Sequence, residues 1–190
     1  MQESLVEAKK ELRRQLRKQR KALPWELILK NSEAIAQAVE ALPEYQAADT
    51  VFCFVSYGGE PHTHVLLQRA LQDGKRIFVP RCKDGGEMDL VQICSFDDLK
   101  PGMYGILEPD PAAPVQDLDE LEFALLPAIA CGKDGSRLGQ GGGYYDRFLE
   151  KYTGKHCVLC FEEFLLDTVP TEEHDCRMQC IVTERQVIRI

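Results

Sequence analysis

Residues 132–146 read Gly-Lys-Asp-Gly-Ser-Arg-Leu-Gly-Gln-Gly-Gly-Gly-Tyr-Tyr-Asp, and their types and spacing suit the capture of an anion. Five glycines (Gly135, Gly139, Gly141, Gly142 and Gly143) crowd into nine residues, leaving backbone N–H groups that a ligand can approach without meeting side chains. Arg137 adds a planar cation able to fork onto a phosphate. The apolar run at 123–130 predicts a buried strand and 144–152 predicts a helix, which puts the glycines on a strand-to-helix turn. There the free N–H groups of the helix start and its positive dipole end converge. The loop has neither the Gly-Lys-Ser/Thr ending of a P-loop nor the dinucleotide fingerprint, so neither template describes it. Its plain rival is a glycine-rich surface turn. Asp146 reads either as an acid favourable to the first helical turn or as a magnesium ligand beside a phosphate.

The rest of the chain must position this loop. Its 190 residues suit one domain able to bury a sizeable core, and a hydrophobic fraction of 44% without a membrane-length apolar run points to a soluble protein. The first residues lack the basic and apolar regions of a secretory signal, so a cytoplasmic location and no membrane association are expected. Net charge is −8 but uneven: residues 1–21 carry +5 and the remainder −13. Such a basic helix on an acidic body is read as a solvated face or an anion site, and no nucleic-acid partner is expected because the body would repel a polyanion. Cys157, Cys160, Cys176 and Cys180 with His174 have roughly zinc-like spacing. Residues three apart on a strand face opposite ways, however, so Cys157 and Cys160 do not share an ion. The other cysteines lie in or beside apolar strands as reduced thiols, which suits a reducing compartment.

In order, the pattern predicts helices at 2–22 and 25–42, a strand at 51–56, a helix at 63–73, a strand at 76–80 and another at 88–94. An acidic, proline-bearing connection at 95–120 follows, read as a long loop. Strands at 122–127 and 156–161, the helix at 144–152 and a final strand at 180–189 complete the chain. Alternating strands and helices specify the α/β class: a single domain over 1–190 built as an open, mostly parallel sheet with helices on both faces. Ligands gather beyond the carboxyl ends of such strands. Three elements are expected there: the turn with Glu60, the glycine loop, and the segment leading to Asp175.

The stretch Arg137-Leu-Gly-Gln-Gly-Gly-Gly-Tyr-Tyr-Asp-Arg-Phe-Leu149 closely resembles the signature of the 5-formyltetrahydrofolate cyclo-ligase family, also called 5,10-methenyltetrahydrofolate synthetases. Lys9-Lys-Glu-Leu-Arg13 resembles that family's N-terminal Lys-x-x-x-Arg pattern, and Val55-Ser56 through Glu60 and Thr63 its substrate turn. Tyr104-Gly-Ile-Leu-Glu-Pro109 and Val169-Pro170 through Glu173-His-Asp175 resemble two further segments in the same order. Two positions depart from the pattern: Phe164 stands where Gln is frequent, and Gln179 where an acid is common.

The resemblance implies a sheet like that of sugar-phosphate isomerases and CoA-transferases, and an ATP-dependent ring closure of 5-formyltetrahydrofolate. It implies that Lys9, Lys10, Glu11, Leu12 and Arg13 form one ATP-binding segment, with Lys9 and Arg13 four apart on one helix face. The second ATP-binding segment would be Arg137, Leu138, Gly139, Gln140, Gly141, Gly142, Gly143, Tyr144 and Tyr145. Arg137, Tyr145 and Lys9 would be catalytic. Asp146 and Asp175 would hold Mg2+, a hard ion that prefers carboxylate oxygen. Val55, Glu60, Tyr144 and Tyr104 would bind the folate, with or without a polyglutamate tail, and the protein is expected to be a monomer. Phosphoryl transfer needs positioning and charge neutralisation more than a protein nucleophile, which matches this residue set. The alternatives are a relative on the same fold that uses ATP on another acceptor, an isomerase or acyl-transferase cousin without ATP, and a non-catalytic folate- or nucleotide-binding module.

Overall fold

The computed structural model describes residues 2–102, 105–172 and 175–190, with side chains from Ser4 onward. Helices α1 (Gln2–Lys21), α2 (Trp25–Glu40) and α3 (Pro43–Ala47) precede β1 (Thr50–Cys53), α4 (His64–Gln72), β2 (Arg76–Cys82) and β3 (Met88–Ile93). Two short strands, β4 (Lys100–Pro101) and β5 (Leu107–Glu108), then pair with each other. The second half holds β6 (Phe123–Pro127), β7 (Ala130–Gly132), β8 (Arg137–Leu138), α5 (Tyr144–Lys151), β9 (Lys155–Leu159), β10 (Leu165–Leu166), β11 (Cys180–Val182) and β12 (Val187–Arg189).

Seven strands form the main sheet in the order β12-β11-β9-β6-β1-β2-β3. The five inner strands run parallel, while β3 and β12 close the edges antiparallel. β1 and β6 are buried at every residue, which a parallel strand covered on both faces requires of its side chains. Around them Phe52, Phe78, Phe123, Leu125 and Leu126 have at most 1% of their surface exposed. The helix α2 contributes Ile28, Ile35, Ala36 and Val39 to this core at helical spacing. No described helix is long and apolar enough to cross a membrane.

Four boundaries differ from the pattern-based expectation, three of them because pairing decides where a strand exists and one because proline can open a helix. The strand expected at 51–56 stops at Cys53, and the backbone continues extended towards the cleft, Phe54 N–H still reaching the Leu125 carbonyl at 3.4 Å. Pro43 does not simply end α2; it stands in the first turn of the separate helix α3. The final strand is a hairpin, because Thr183 turns the chain by accepting from the N–H groups of Arg185 and Gln186. The glycine segment does not lead straight from strand to helix. A small sheet, β10-β7-β8, is inserted after β6, and only residues 139–143 form the approach to α5.

Helix α1 carries a further surprise. Leu16 is buried as its apolar stripe predicts, and Leu12 packs partly against the core. Yet among the described residues the other buried side chains on it are Lys9 and Arg20. Positions 9, 13, 16 and 20 share one face of a helix, so the face that docks is substantially cationic.

Candidate functional site

A cleft of about 550 Å³ opens beyond the carboxyl ends of β1, β2 and β6. Its apolar walls come from Phe54, Val55, Pro80, Ile106, Leu107 and Pro127. Polar groups enter from Glu60, Arg137, Tyr145 and Asp146, and residues 139–143 form one rim. The size and the few convergent polar groups are those of a small-molecule site.

The rim is shaped by Gly143, the residue capping α5, whose φ of 72° lies in the left-handed region. No side chain caps that helix start, so its N–H groups remain directed at the cleft mouth. Arg147 holds the rim from behind by donating to the Gly142 carbonyl at 3.0 Å and the Gly86 carbonyl at 3.3 Å.

Arg137 lies beneath the rim with its side chain 2% exposed. One terminal nitrogen donates to Asp146 at 2.5 Å and the other to the Pro127 carbonyl at 3.3 Å. Its Nε is buried without a hydrogen-bond partner among the described residues. Such a donor is costly to leave unpaired, and an oxygen-rich anion in the cleft would satisfy it. The guanidinium carbon also stands 5.9 Å from the centroid of the Tyr145 ring. Burial pushes the Tyr145 phenol well above its ordinary value; Glu60 adds to the rise and Arg137 opposes it.

Helix α1 meets this rim along its cationic face. Arg13 Nε donates to the Gly139 carbonyl at 2.9 Å, and Arg17 donates to the Gln140 carbonyl at 2.8 Å. Lys9 is buried and contacts Asp175 at 2.5 Å and Glu172 at 2.6 Å. Burial, then Arg17, lowers the pKa of Arg13, while Asp175, Glu172 and Asp146 pull it back up. The carboxylates of Asp146 and Asp175 thus both act on the Arg13 charge, although they are 29 positions apart in sequence.

The turn after β1 supplies Glu60, whose carboxylate accepts from the Tyr57 N–H at 3.0 Å. Burial raises its pKa, against the lowering effects of that hydrogen bond, of Arg20 and of Gln140.

The structure thus brings Lys9, Arg13, Val55, Glu60, Tyr144, Tyr145, Asp146, Asp175 and residues 137–143 to one region. It does not bring Lys10 or Glu11 there. Lys10 is 74% exposed and pairs with Glu7 at 3.6 Å, while Glu11 faces outward to Arg14 and Gln15. Leu12 packs on the core instead of facing the cleft. Tyr104 lies outside the described residues, as do Glu173 and His174. Phe164, one of the two departures, is a core side chain with the Arg20 guanidinium 5.8 Å above its ring. Gln179, the other, binds the start of β9, accepting from the His156 N–H at 3.3 Å. Sequence reasoning missed Arg17, Arg20, Arg147 and Glu172. The one signal for the first two was their helical spacing from Lys9 and Arg13.

The 5-formyltetrahydrofolate cyclo-ligase family model matches residues 5–184 of this chain. The chain is 32% identical over 197 residues to the 5-formyltetrahydrofolate cyclo-ligase of Saccharomyces cerevisiae, with 90% of this chain and 92% of the yeast protein covered. It is 30% identical over 190 residues to the mouse 5-formyltetrahydrofolate cyclo-ligase, with 93% and 94% covered. Its fold superposes on the solved structure of Aquifex aeolicus 5,10-methenyltetrahydrofolate synthetase with a TM-score of 0.85 and 28% identity, covering 95% of this chain and 92% of that one. The match runs through both cationic segments, the glycine rim and the Asp175 region alike, and the chain belongs to the 5-formyltetrahydrofolate cyclo-ligase family.

Proposed function

We propose that this protein converts 5-formyltetrahydrofolate and ATP into 5,10-methenyltetrahydrofolate, ADP and phosphate. The observation that carries the reading is Arg137: a buried guanidinium with an unpartnered Nε, under a glycine rim at a helix start, in the wall of a cleft that also holds Glu60. That arrangement supplies an anion subsite and a flat, mostly apolar subsite side by side.

In this reading the γ-phosphoryl group moves from ATP to the formyl oxygen. N-10 then attacks the activated formyl carbon, the carbon–oxygen bond breaks, phosphate leaves and N-10 loses its proton. Arg137 neutralises charge on the moving phosphoryl group, with the rim N–H groups and Arg13 holding the polyphosphate. Lys9 would exchange a carboxylate for a phosphate oxygen. Tyr145 stays protonated across the physiological range and can donate to an oxygen of the reacting centre. Glu60 accepts from pterin N–H groups, with Val55 and Tyr144 flanking the ring.

Asp146 and Asp175 suit Mg2+ in their donor chemistry, being hard carboxylates beside the anion subsite. Among the described residues no group of three or more acidic, histidine or cysteine side chains could hold a metal, so phosphate oxygens and water would complete the shell. A bound Mg2+ would offset charge on the phosphates. We place the protein in the cytoplasm as a monomer acting on a small-molecule folate, with or without a polyglutamate tail; its eight thiols, all without disulfides, support a reducing compartment. The inward commitment of Lys9, Arg13 and Arg20 leaves α1 poorly suited to a nucleic-acid backbone.

The test mixes purified protein, 5-formyltetrahydrofolate and magnesium-ATP and follows the near-ultraviolet absorbance of the methenyl product. An ATP-dependent rise is expected. ATP binding with no rise would reject the acceptor, and a rise without ATP would reject the phosphoryl-transfer step.

A further inference from the structure

Arg20 takes no part in the chemistry above, yet it is the second cation that α1 buries, at 6% exposure. Its Nε donates to the Gly59 carbonyl at 3.0 Å and its Nη1 to the Ala128 carbonyl at 2.8 Å. Gly59 immediately precedes Glu60, and Ala128 lines the cleft. The two carbonyls belong to segments 69 positions apart, one following β1 and one following β6. The approach is tight: a methyl group on Gly59 would lie 3.0 Å from the Arg20 carbonyl oxygen and 3.3 Å from the Arg20 Cβ.

A buried arginine held by carbonyls is an expensive way to obtain stability, since an apolar side chain in its place would avoid the desolvation cost. What a guanidinium does that an alkyl chain cannot is fix two acceptors at a set distance and angle. We propose that Arg20 is a positioning residue for the folate, tying the turn that carries Glu60 to the cleft wall at Ala128. One helix then serves both ligands, with Lys9 and Arg13 towards the phosphates and Arg20, two to three turns on, towards the pterin. The proposal rests on reading Glu60 as the folate acceptor.

The charge on Arg20 has a second effect. Burial raises the Glu60 pKa, and Arg20 opposes that rise together with the Tyr57 N–H and Gln140. Among the described residues Tyr145 also faces Glu60, protonated and uncharged in the working range, and Arg137 and Asp146, paired with each other, line the same cleft. Loss of the guanidinium would therefore move Glu60 protonation to higher pH.

Four variants decide the matter: Arg20→Gln, Arg20→Lys, Gly59→Ala and Glu60→Gln. For each, KM is measured separately for 5-formyltetrahydrofolate and for ATP, with the pH profile of kcat/KM for the folate and a thermal melt. Arg20→Gln is expected to raise the folate KM by about 10- to 100-fold, the loss of charge-assisted hydrogen bonds, with the ATP KM within about twofold. Its acidic limb should move to higher pH. Arg20→Lys keeps the charge without the two-carbonyl span, so the folate KM rises while the limb stays in place. Gly59→Ala should copy Arg20→Lys. If Arg20→Gln fails to fold, the lysine and alanine variants still decide.

A raised folate KM in Glu60→Gln beside a wild-type value in Arg20→Lys overturns the proposal and leaves the Glu60 reading intact. No change in Glu60→Gln sinks the Glu60 reading, and with it the proposal. Equal changes in both KM values would mark Arg20 as purely structural and overturn the proposal too.

Discussion

Arg20 and Arg137 hold successive carbonyls of one segment: Arg137 donates to Pro127 at 3.3 Å and Arg20 to Ala128 at 2.8 Å. The carboxyl end of the central strand β6 is thereby gripped by two guanidinium groups, one from α1, 108 positions earlier, and one from β8, ten positions later. It forms a fixed floor between the anion subsite and the turn of Glu60.

Arg137 works on both that floor and the phosphate. Arg137→Ala is expected to lower kcat by about 10²- to 10³-fold, or roughly 2.7–4 kcal/mol of transition-state stabilisation. Arg137→Lys should recover only part of this, because an ammonium cannot reproduce the fork to Asp146 and Pro127. Steady-state kinetics with saturating magnesium-ATP check it, and full turnover in the alanine variant would remove Arg137 from the mechanism.

Lys9 and Asp175 are 6% and 10% exposed, so breaking their pair strands a charge out of water. Lys9→Met should destabilise the ligand-free protein by roughly 3–5 kcal/mol. At roughly 2–4 °C per kcal/mol that is a Tm decrease of about 6–20 °C. Adding Asp175→Asn should return part of the loss. Thermal melts of the two single variants and the double variant give the coupling directly, and strict additivity would show that the pair contributes nothing.

At Gly143 any other residue must adopt the left-handed conformation, at a cost of roughly 1–2 kcal/mol. A methyl there would also lie 2.6 Å from Arg147 Nη1, which would have to release the rim. Gly143→Ala is therefore expected to weaken ATP binding by several-fold while sparing the folate KM. Calorimetric titration with ATP tests this; an unchanged affinity would mean that the rim does not contact the nucleotide.

The His62 and His64 rings lie tilted at 48° to each other with centroids 4.1 Å apart just after the Glu60 turn. Burial, then His64, lowers the His62 pKa to about 4, and burial lowers that of His64. Both are then neutral when folded, while the unfolded chain binds their protons near pH 6.5. Stability is complete above that value and is lost as pH falls from about 6.5 towards 4. After discounting for half exposure, the His62 share is on the order of 1 kcal/mol, or about 2–4 °C in Tm. His62→Gln should flatten the Tm-versus-pH curve in this window, and a curve as steep as wild type would reject the assignment.

The parallel sheet was legible because Thr50–Cys53, Phe123–Pro127 and the run from Cys157 to Phe161 are nearly continuous apolar stretches separated by helical patterns. The inserted sheet was not: Arg137–Leu138 is a strand only because Ala130–Gly132 lies beside it, and that strand is completed by Leu165–Leu166. Two-residue strands have no period to detect. The C-terminal turn left one cue, the polar run Thr183-Glu-Arg-Gln186 within the expected strand. In the site, the glycine rim and its arginine announced themselves by composition. Arg20 did not, because a cation in a basic helix reads as solvated until a neighbouring segment is seen to bury it.

The docking of α1 also orders events in time. Its Lys9 pairs with residues 163 and 166 positions later, and its Arg13 with one 126 positions later. Synthesis runs towards the C-terminus, so this helix leaves the ribosome well before those partners do. Most of the stability of a helix comes from tertiary packing, so α1 gains its full support only once those partners have emerged. Closing so long a loop is also slow and late. Strands β11 and β12 follow Asp175 in sequence, so the completed sheet and the Lys9 pairing become available together, and a chain released short of Glu172 would lack both.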